Sequence, residues 1–216
     1  RLWRDRLESR ALKYLEEHVL GMKRSSEEAP GYEIPWLYFD YLRTGDARPL
    51  EGVFYHNAMD IVAMSALLHH VSEMTANPYD GSVQHGLDFV ALGKLFDGLG
   101  HWDEAARLYE RGLEFELEES DFGVAVKRLS ILQKKRGDVN DAVRLWEDAA
   151  ARGHIYAHIE LAKHFEHKAR DVNSAIKWTM SARQLTEEAD LPSYVRKHWL
   201  AEIDHRLSRL ERKAGL

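Results

Sequence analysis

The chain has 216 residues, room for one large domain or two small ones, and its 44% apolar and 10% aromatic content supports a packed core and excludes a disordered chain. Thirty basic side chains against 36 acidic ones give a net charge of −6, so there is no whole-chain basic footprint for nucleic acid, although RLWRDRLESR opens the chain with four arginines. Cysteine is absent, which excludes disulfides, thiolate zinc sites and a cysteine nucleophile and fits a reducing cytoplasm, while no apolar run reaches the roughly 18 residues of a membrane span and no signal-peptide pattern opens the chain.

Residue 1 is Arg1 rather than Met, and the sequence starts inside what reads as a helix, so a fragment or a processed piece is expected. Residues 2 to 19 place Leu2, Leu7, Ala11, Leu12, Leu15 and Val19 at near-helical spacing, with Gly21 as the stop. The polar stretch from Lys23 to Pro35, with Pro30 and Gly31, predicts a loop. IPWLYFDYLRTGD predicts a short helix with an aromatic face, ended by Gly45. A second helix is expected from near Pro49 to Met74, with a break near His56. Residues 76 to 84, ANPYDGSVQ, are rich in turn formers and read as a linker.

Beyond the linker, over 85–216, the sequence repeats itself. GHWDEAARLYERGLE, GDVNDAVRLWEDAAARG and RDVNSAIKWTMSARQ align on Ala105, Ala142 and Ala175, spaced by 37 and 33 residues. A small residue there lets a neighbouring helix approach closely, and Leu108, Tyr109, Leu145, Trp146 and Trp178 fill the space behind it. Asp103, Asn140 and Asn173, each two positions earlier, suit helix caps. Each segment follows another amphipathic stretch, as in FVALGKLFDGLG. The last segment, WLAEIDHRLSRLERKAGL, reads as a solvent-facing capping helix. The pattern resembles the tetratricopeptide repeat, with Leu92, Gly93, Phe96, Gly100, Ala105 and Tyr109 at consensus positions of the first unit. The third unit has an extra residue in its turn, as in the related Sel1-like repeats. That resemblance implies an α-solenoid of about three helix–turn–helix units, able to bind a protein partner; the alternative is an ordinary helical bundle.

The octapeptide YHNAMDIV, residues 55 to 62, sets His56 and Asp60 one helical turn apart. The run IVAMSALL would put Asp60 on a buried stripe with Ala63, Met64, Leu67, Leu68 and Val71. A carboxylate there needs a metal, a partner or a backbone donor. Two readings follow. With Asn57 as an N-cap, Asp60 is the third helical residue and reaches back to the cap. Alternatively, Asp60 ligates a divalent metal and His56 acts as a general base or positions water.

Residues 1 to 75 resemble the C-terminal end of the YprB-like exonucleases of the RNase H fold. The matching pieces are LESRALKYLEEHVLG, PGYEIPWLYFDYLRTGD and VFYHNAMDIVAMSALL. The resemblance implies Mg²⁺- or Mn²⁺-dependent hydrolysis of nucleic-acid ends, with four acidic residues on two ions. Asp60 would be the last of the four, and His56 or Tyr55 the residue before it that activates water; His56 stands at the tyrosine's usual spacing. The family's Asp-x-Glu motif and second aspartate have no counterpart here: Asp5 and Glu8 are wrongly spaced, and Asp40 stands in another context. The chain alone is therefore expected to be inactive. A non-enzymatic repeat scaffold, with Asp60 only a cap, is the rival reading.

Two histidine pairs, His154/His158 and His164/His167, have zinc-like spacing beside Glu160 and Glu166, but the repeats already account for these helices. The aromatics of WLYFDYL could stack on single-stranded bases, although packing on a neighbouring helix explains them more simply. The expected architecture is thus all-α, with RNase H-like helices before a repeat module.

Overall fold

The computed structural model describes residues 2–23 and 30–215; much of the loop expected over 23–35 lies outside them. Every regular element among the described residues is helical, and none of these helices is long and apolar enough to cross a membrane. The chain divides into two compact units, Arg1–Ala91 and Leu92–Leu216.

Unit 1 contains α1 (Leu12–His18), α2 (Ile34–Thr44) and α3 (Glu51–Ala76) and ends in the first part of α4 (Gly86–Gly98). The helix expected over 2 to 19 is shorter than its apolar spacing suggested. A single turn, Leu7 N to Trp3 O at 3.0 Å, stops at Ser9, whose hydroxyl accepts the Ala11 N–H at 3.2 Å. Such a side-chain bond offers the backbone an alternative to the helical ladder. In α2, Pro35 sits in the first turn and Gly45 ends the helix at φ 74°, its N–H bonded to Tyr41 O. A 3₁₀ turn over Arg48–Leu50 feeds straight into α3, which runs for 26 residues without the expected break at His56. No proline or glycine stands between Val53 and Ala76 to interrupt the ladder.

Trp3, Leu50, Ala63, Leu67, Met74 and Phe89 are buried in this unit, and Trp3 stacks on His70 at 6.2 Å. Arg6 Nε donates to Asp88 Oδ1 at 2.9 Å, tying the N-terminal segment to the start of α4. Burial pushes the Asp88 carboxyl up, and Arg6 only partly offsets this. Residues after α3 form an ordered turn, with Gly81 at φ 101°, Ser82 N on Asp80 Oδ1 (3.0 Å) and Ser82 Oγ on Asn77 O (2.9 Å).

Unit 2 holds the end of α4, then α5 (Trp102–Leu113), α6 (Glu119–Arg136), α7 (Val139–Ala151), α8 (Ile155–His164), α9 (Val172–Glu188) and α10 (Ser193–Ala214). From α5 onward each helix packs on the next in chain order. Ion pairs also skip one helix: Arg128 of α6 meets Asp97 of α4 at 3.1 Å, and Lys134 of α6 meets Glu160 of α8 at 3.0 Å. The aligned alanines Ala105, Ala142 and Ala175 are fully buried. Around Ala142 the core joins Phe122, Val126, Trp146, Ala157 and Leu161. Gly93 is required by close packing, since a Cβ there would stand 2.9 Å from the Tyr109 ring.

The turns between helices show how the repeats differ. Gly100 (φ 81°) and Gly137 (φ 91°) take left-handed backbone, and the next N–H returns to the carbonyl five residues back, His101 to Phe96 and Asp138 to Gln133, each at 2.9 Å. In the third repeat Arg170 takes the glycine's role at φ 57°. There a π-type turn over Phe165–Ala169 absorbs the extra residue, and Asp171 N reaches Phe165 O, six residues back, at 2.9 Å. The caps are His101, Asp138 and Asp171, and Asp171 accepts the Ser174 N–H at 3.0 Å. Asp103, Asn140 and Asn173 therefore lie inside their helices, two residues past the caps.

The final helix is not simply solvent-facing. Ile203 and Leu210 are buried, and Arg206 (3.0 Å), Arg209 (2.6 Å) and Lys213 (2.6 Å) converge on Glu166, whose side chain is 0% exposed. Burial pushes the Glu166 carboxyl up, but the Lys213 hydrogen bond and the Arg209 charge override this and hold it below the ordinary glutamate range.

Candidate functional site

His56 and Asp60 both lie in the interior of α3. Four residues of helix bring them to one face, with His56 Nε2 3.5 Å from Asp60 Oδ2. Their side chains are 22% and 31% exposed, so both reach solvent while packed against the unit. Tyr55, 38% exposed, is one position off and leaves the helix in a different direction from Asp60. Helical geometry therefore pairs Asp60 with the histidine and not with the tyrosine.

The capping reading of Asp60 is overturned. Asn57 is inside a continuous helix that begins at Glu51, so it has no free helix end to cap and Asp60 is not a third helical residue. The expected buried stripe is also redrawn. Ala63 and Leu67 are buried, whereas Met64 and Leu68 are exposed, Leu68 by 69%. Asp60 sits where the two faces of α3 meet.

The exposed side of unit 1 is markedly apolar. Phe54, Ile61 and Leu68 recur every seven residues on α3, with Met64 beside them, and all are exposed. On α2 no residue is buried, and Trp36 is 76% exposed together with Phe39 and Leu42. The expectation that the aromatics of α2 pack on a neighbouring helix therefore fails among the described residues. Each of these two helices thus presents several large apolar side chains to solvent. Spacing alone could not reveal it, because a helix that is apolar all round reads as buried.

Asp60 and His56 supply one carboxylate and one imidazole, whereas a two-ion site needs several carboxylates converging on ions about 4 Å apart. Among the described residues no group of three His, Asp or Glu side chains stands close enough to hold a metal ion. These two residues do not by themselves make a metal centre. Asp40 does not join them, because it pairs with Arg43 at 2.6 Å on α2.

The histidine pairs of unit 2 have packing roles. His154 Nε2 lies 2.7 Å from Glu119 Oε1, and its ring covers Phe122. His158 is buried with its Nδ1 3.2 Å from His154 O and its ring edge-on to Trp178. His164 packs edge-on against Phe165, and His167 lies 3.4 Å from Glu166.

Residues 1–72 match the model of the family RNase_H_2 of the RNase_H superfamily. Over 217 residues, covering 99% of this chain, the sequence is 31% identical to the uncharacterized protein YprB of Bacillus subtilis (strain 168). That alignment covers 50% of YprB, so the chain spans about half the length of its curated relative. The crystal structure of PcrH from Pseudomonas aeruginosa is similar at 17% identity, over 58% of this chain and 90% of PcrH, with a TM-score of 0.46. The helix that carries His56 and Asp60 thus lies in the segment that matches the RNase_H superfamily model, in a chain that is similar to YprB along almost its whole length.

Proposed function

We propose that unit 1 is the C-terminal helical part of a metal-dependent exonuclease domain of the RNase H-like class, cytoplasmic and acting on nucleic-acid ends. The observation that carries this reading is the His56–Asp60 pair, 3.5 Å apart and partly exposed on α3 within the segment matching the RNase H superfamily. Asp60 supplies one carboxylate of an Mg²⁺ or Mn²⁺ site, and His56 the proton acceptor beside it. The remaining carboxylates come from outside residues 1–216. The uncovered apolar faces of α2 and α3 support this, because they are what helices show when the layer they pack on is missing.

Residues 85–216, which contain all of unit 2, we read as a tetratricopeptide-like module that follows the turn at 76–84. The buried alanines at aligned positions and the helix-on-next-helix packing support that reading. A non-enzymatic scaffold that binds protein through the repeats is the second reading, favoured by the lack of a three-donor cluster among the described residues.

The test is degradation of 5′-labelled single-stranded DNA with Mn²⁺. Residues 1–216 alone should give no turnover, whereas the natural gene product containing them should be active and lose at least about 100-fold with Asp60→Ala. Full activity in that Asp60→Ala protein would remove Asp60 from the site. No activity in the natural product would favour the scaffold.

A further inference from the structure

The outward stripe of α6 sets it apart in unit 2. From Phe122 to Arg136 this helix carries five Lys and Arg residues and no Asp or Glu, in a chain whose net charge is −6. Val124, Lys127, Arg128, Ile131, Lys134 and Lys135 fall within about a third of the helix circumference. Val124 is 39% and Ile131 45% exposed. Neighbouring helices hold the edges of the stripe: Arg128 pairs with Asp97 of α4 at 3.1 Å, and Lys134 with Glu160 of α8 at 3.0 Å. Arg136, at its end, is taken by Asp103 and Asp138 at 3.4 and 3.5 Å. Among the described residues no carboxylate pairs with Lys127 or Lys135; their ammonium groups lie over the rings of Tyr156 (5.8 Å) and Trp102 (4.8 Å). These two lysines stand about 12 Å apart along the axis, one on either side of the line from Val124 to Ile131.

We infer that this stripe of α6 docks an acidic amphipathic helix of a partner protein. Val124 and Ile131 are separated by two helical turns, about 10.5 Å along the axis. A helix running beside α6 repeats its own apolar side chains at that interval. An extended segment does not, because a step of about 10 Å is three residues, and strand residues three apart point to opposite faces. Glutamates flanking the partner's apolar line meet Lys127 and Lys135, so charge is matched on both sides of the contact. A nucleic-acid strand fits less well. Two uncommitted lysines neutralise two phosphates, against the roughly six to ten contacts of a strongly bound duplex. The Tyr156 and Trp102 rings already turn a face to these lysines, so they are poor platforms for bases. The inference goes beyond both readings of the function, since a helix held on α6 suits a nuclease or a scaffold and involves neither Asp60 nor a metal.

The test is fluorescence anisotropy of a labelled peptide built of Leu-Glu-Glu-Ala-Leu-Glu-Glu heptads, titrated with residues 1–216 in EDTA. Lys127→Gln combined with Lys135→Gln should weaken binding about 5- to 10-fold at low salt and far less at high salt. Val124→Gln combined with Ile131→Gln should weaken it about 10-fold at either salt. All four side chains are exposed, and glutamine is a good helix former, so melting should be unchanged. Lys197→Gln, on α10, should leave binding intact. The inference is overturned if the wild-type chain leaves the heptad peptide unbound, or if polyglutamate or a scrambled peptide of the same composition binds as tightly. It is overturned equally if a labelled oligothymidylate binds more tightly and loses affinity with the two lysines, which would give the stripe to nucleic acid. Dimerisation of the chain that is lost with Val124→Gln and Ile131→Gln would give it to a second copy instead. With metal chelated, none of these outcomes bears on Asp60.

Discussion

The two units treat their apolar side chains in opposite ways. In unit 2, Trp146, Leu161 and the aligned alanines are inside, and charged residues such as Arg128 and Lys134 link alternate helices at the surface. In unit 1, α2 buries nothing, and α3 shows Phe54, Ile61, Met64 and Leu68 to solvent. A repeat buries its face on its immediate neighbours, so a few units suffice for a closed core. On the proposed function, unit 1 is drawn from a layered domain, and the surface its helices need lies in another layer. Unit 2 closes its core on its own helices, whereas unit 1 leaves apolar side chains of α2 and α3 exposed.

The largest effect that could break this contrast is a pair of truncations. Trp146→Ala should destabilise unit 2 by about 4 kcal/mol, since it opens a cavity in a closed core. Leu68→Ala should cost less than about 0.5 kcal/mol in residues 1–216, because the side chain is already in water. Chemical denaturation of both variants decides it, and a loss of 2 kcal/mol or more at Leu68 would show that unit 1 is closed after all.

Next in size is the acid response of unit 2. Glu166 is held below its ordinary value in the fold, so its contribution is present above the unfolded-state value and is lost as pH falls through the folded one. Melting curves below neutral pH should show the wild type losing stability in that acid window relative to Glu166→Gln. At pH 7 the same substitution should cost about 2 kcal/mol, with the charge-assisted bonds to Arg209 and Lys213 discounted for their partial solvation. Equal pH profiles would mean that the three cations do not hold α10 through this carboxylate.

The smallest effect sharpens the account of the repeats. Arg170 adopts the left-handed backbone that Gly100 and Gly137 take in the other two turns. Arg170→Gly should stabilise the protein by about 0.5–1 kcal/mol, the relief of left-handed strain less the entropy of an added glycine. A destabilised variant would indicate that the arginine side chain itself holds the π-type turn.

Sequence and structure diverge at particular residues. The repeat alanines were legible because a small residue at a fixed period has a single packing meaning, and Gly45 was legible as a stop because left-handed backbone favours glycine. The cap at Asn57 was misread because a cap signature inside a longer helix looks the same as one at its start. Only the unbroken run from Glu51 separates the two. Met64 and Leu68 were placed in the core because periodicity reports which residues share a face but not whether that face is covered.

The sequence by itself determined that the chain is helical, that it repeats over its second half, and that His56 and Asp60 share a helix face, since each of these follows from local spacing. Only the tertiary structure decided that α2 and one side of α3 stand uncovered, that Arg170 replaces a glycine in its turn, and that Glu166 gathers three cations from α10. These depend on which distant surfaces meet, and burial and charge pairing are properties of that meeting and not of any one segment.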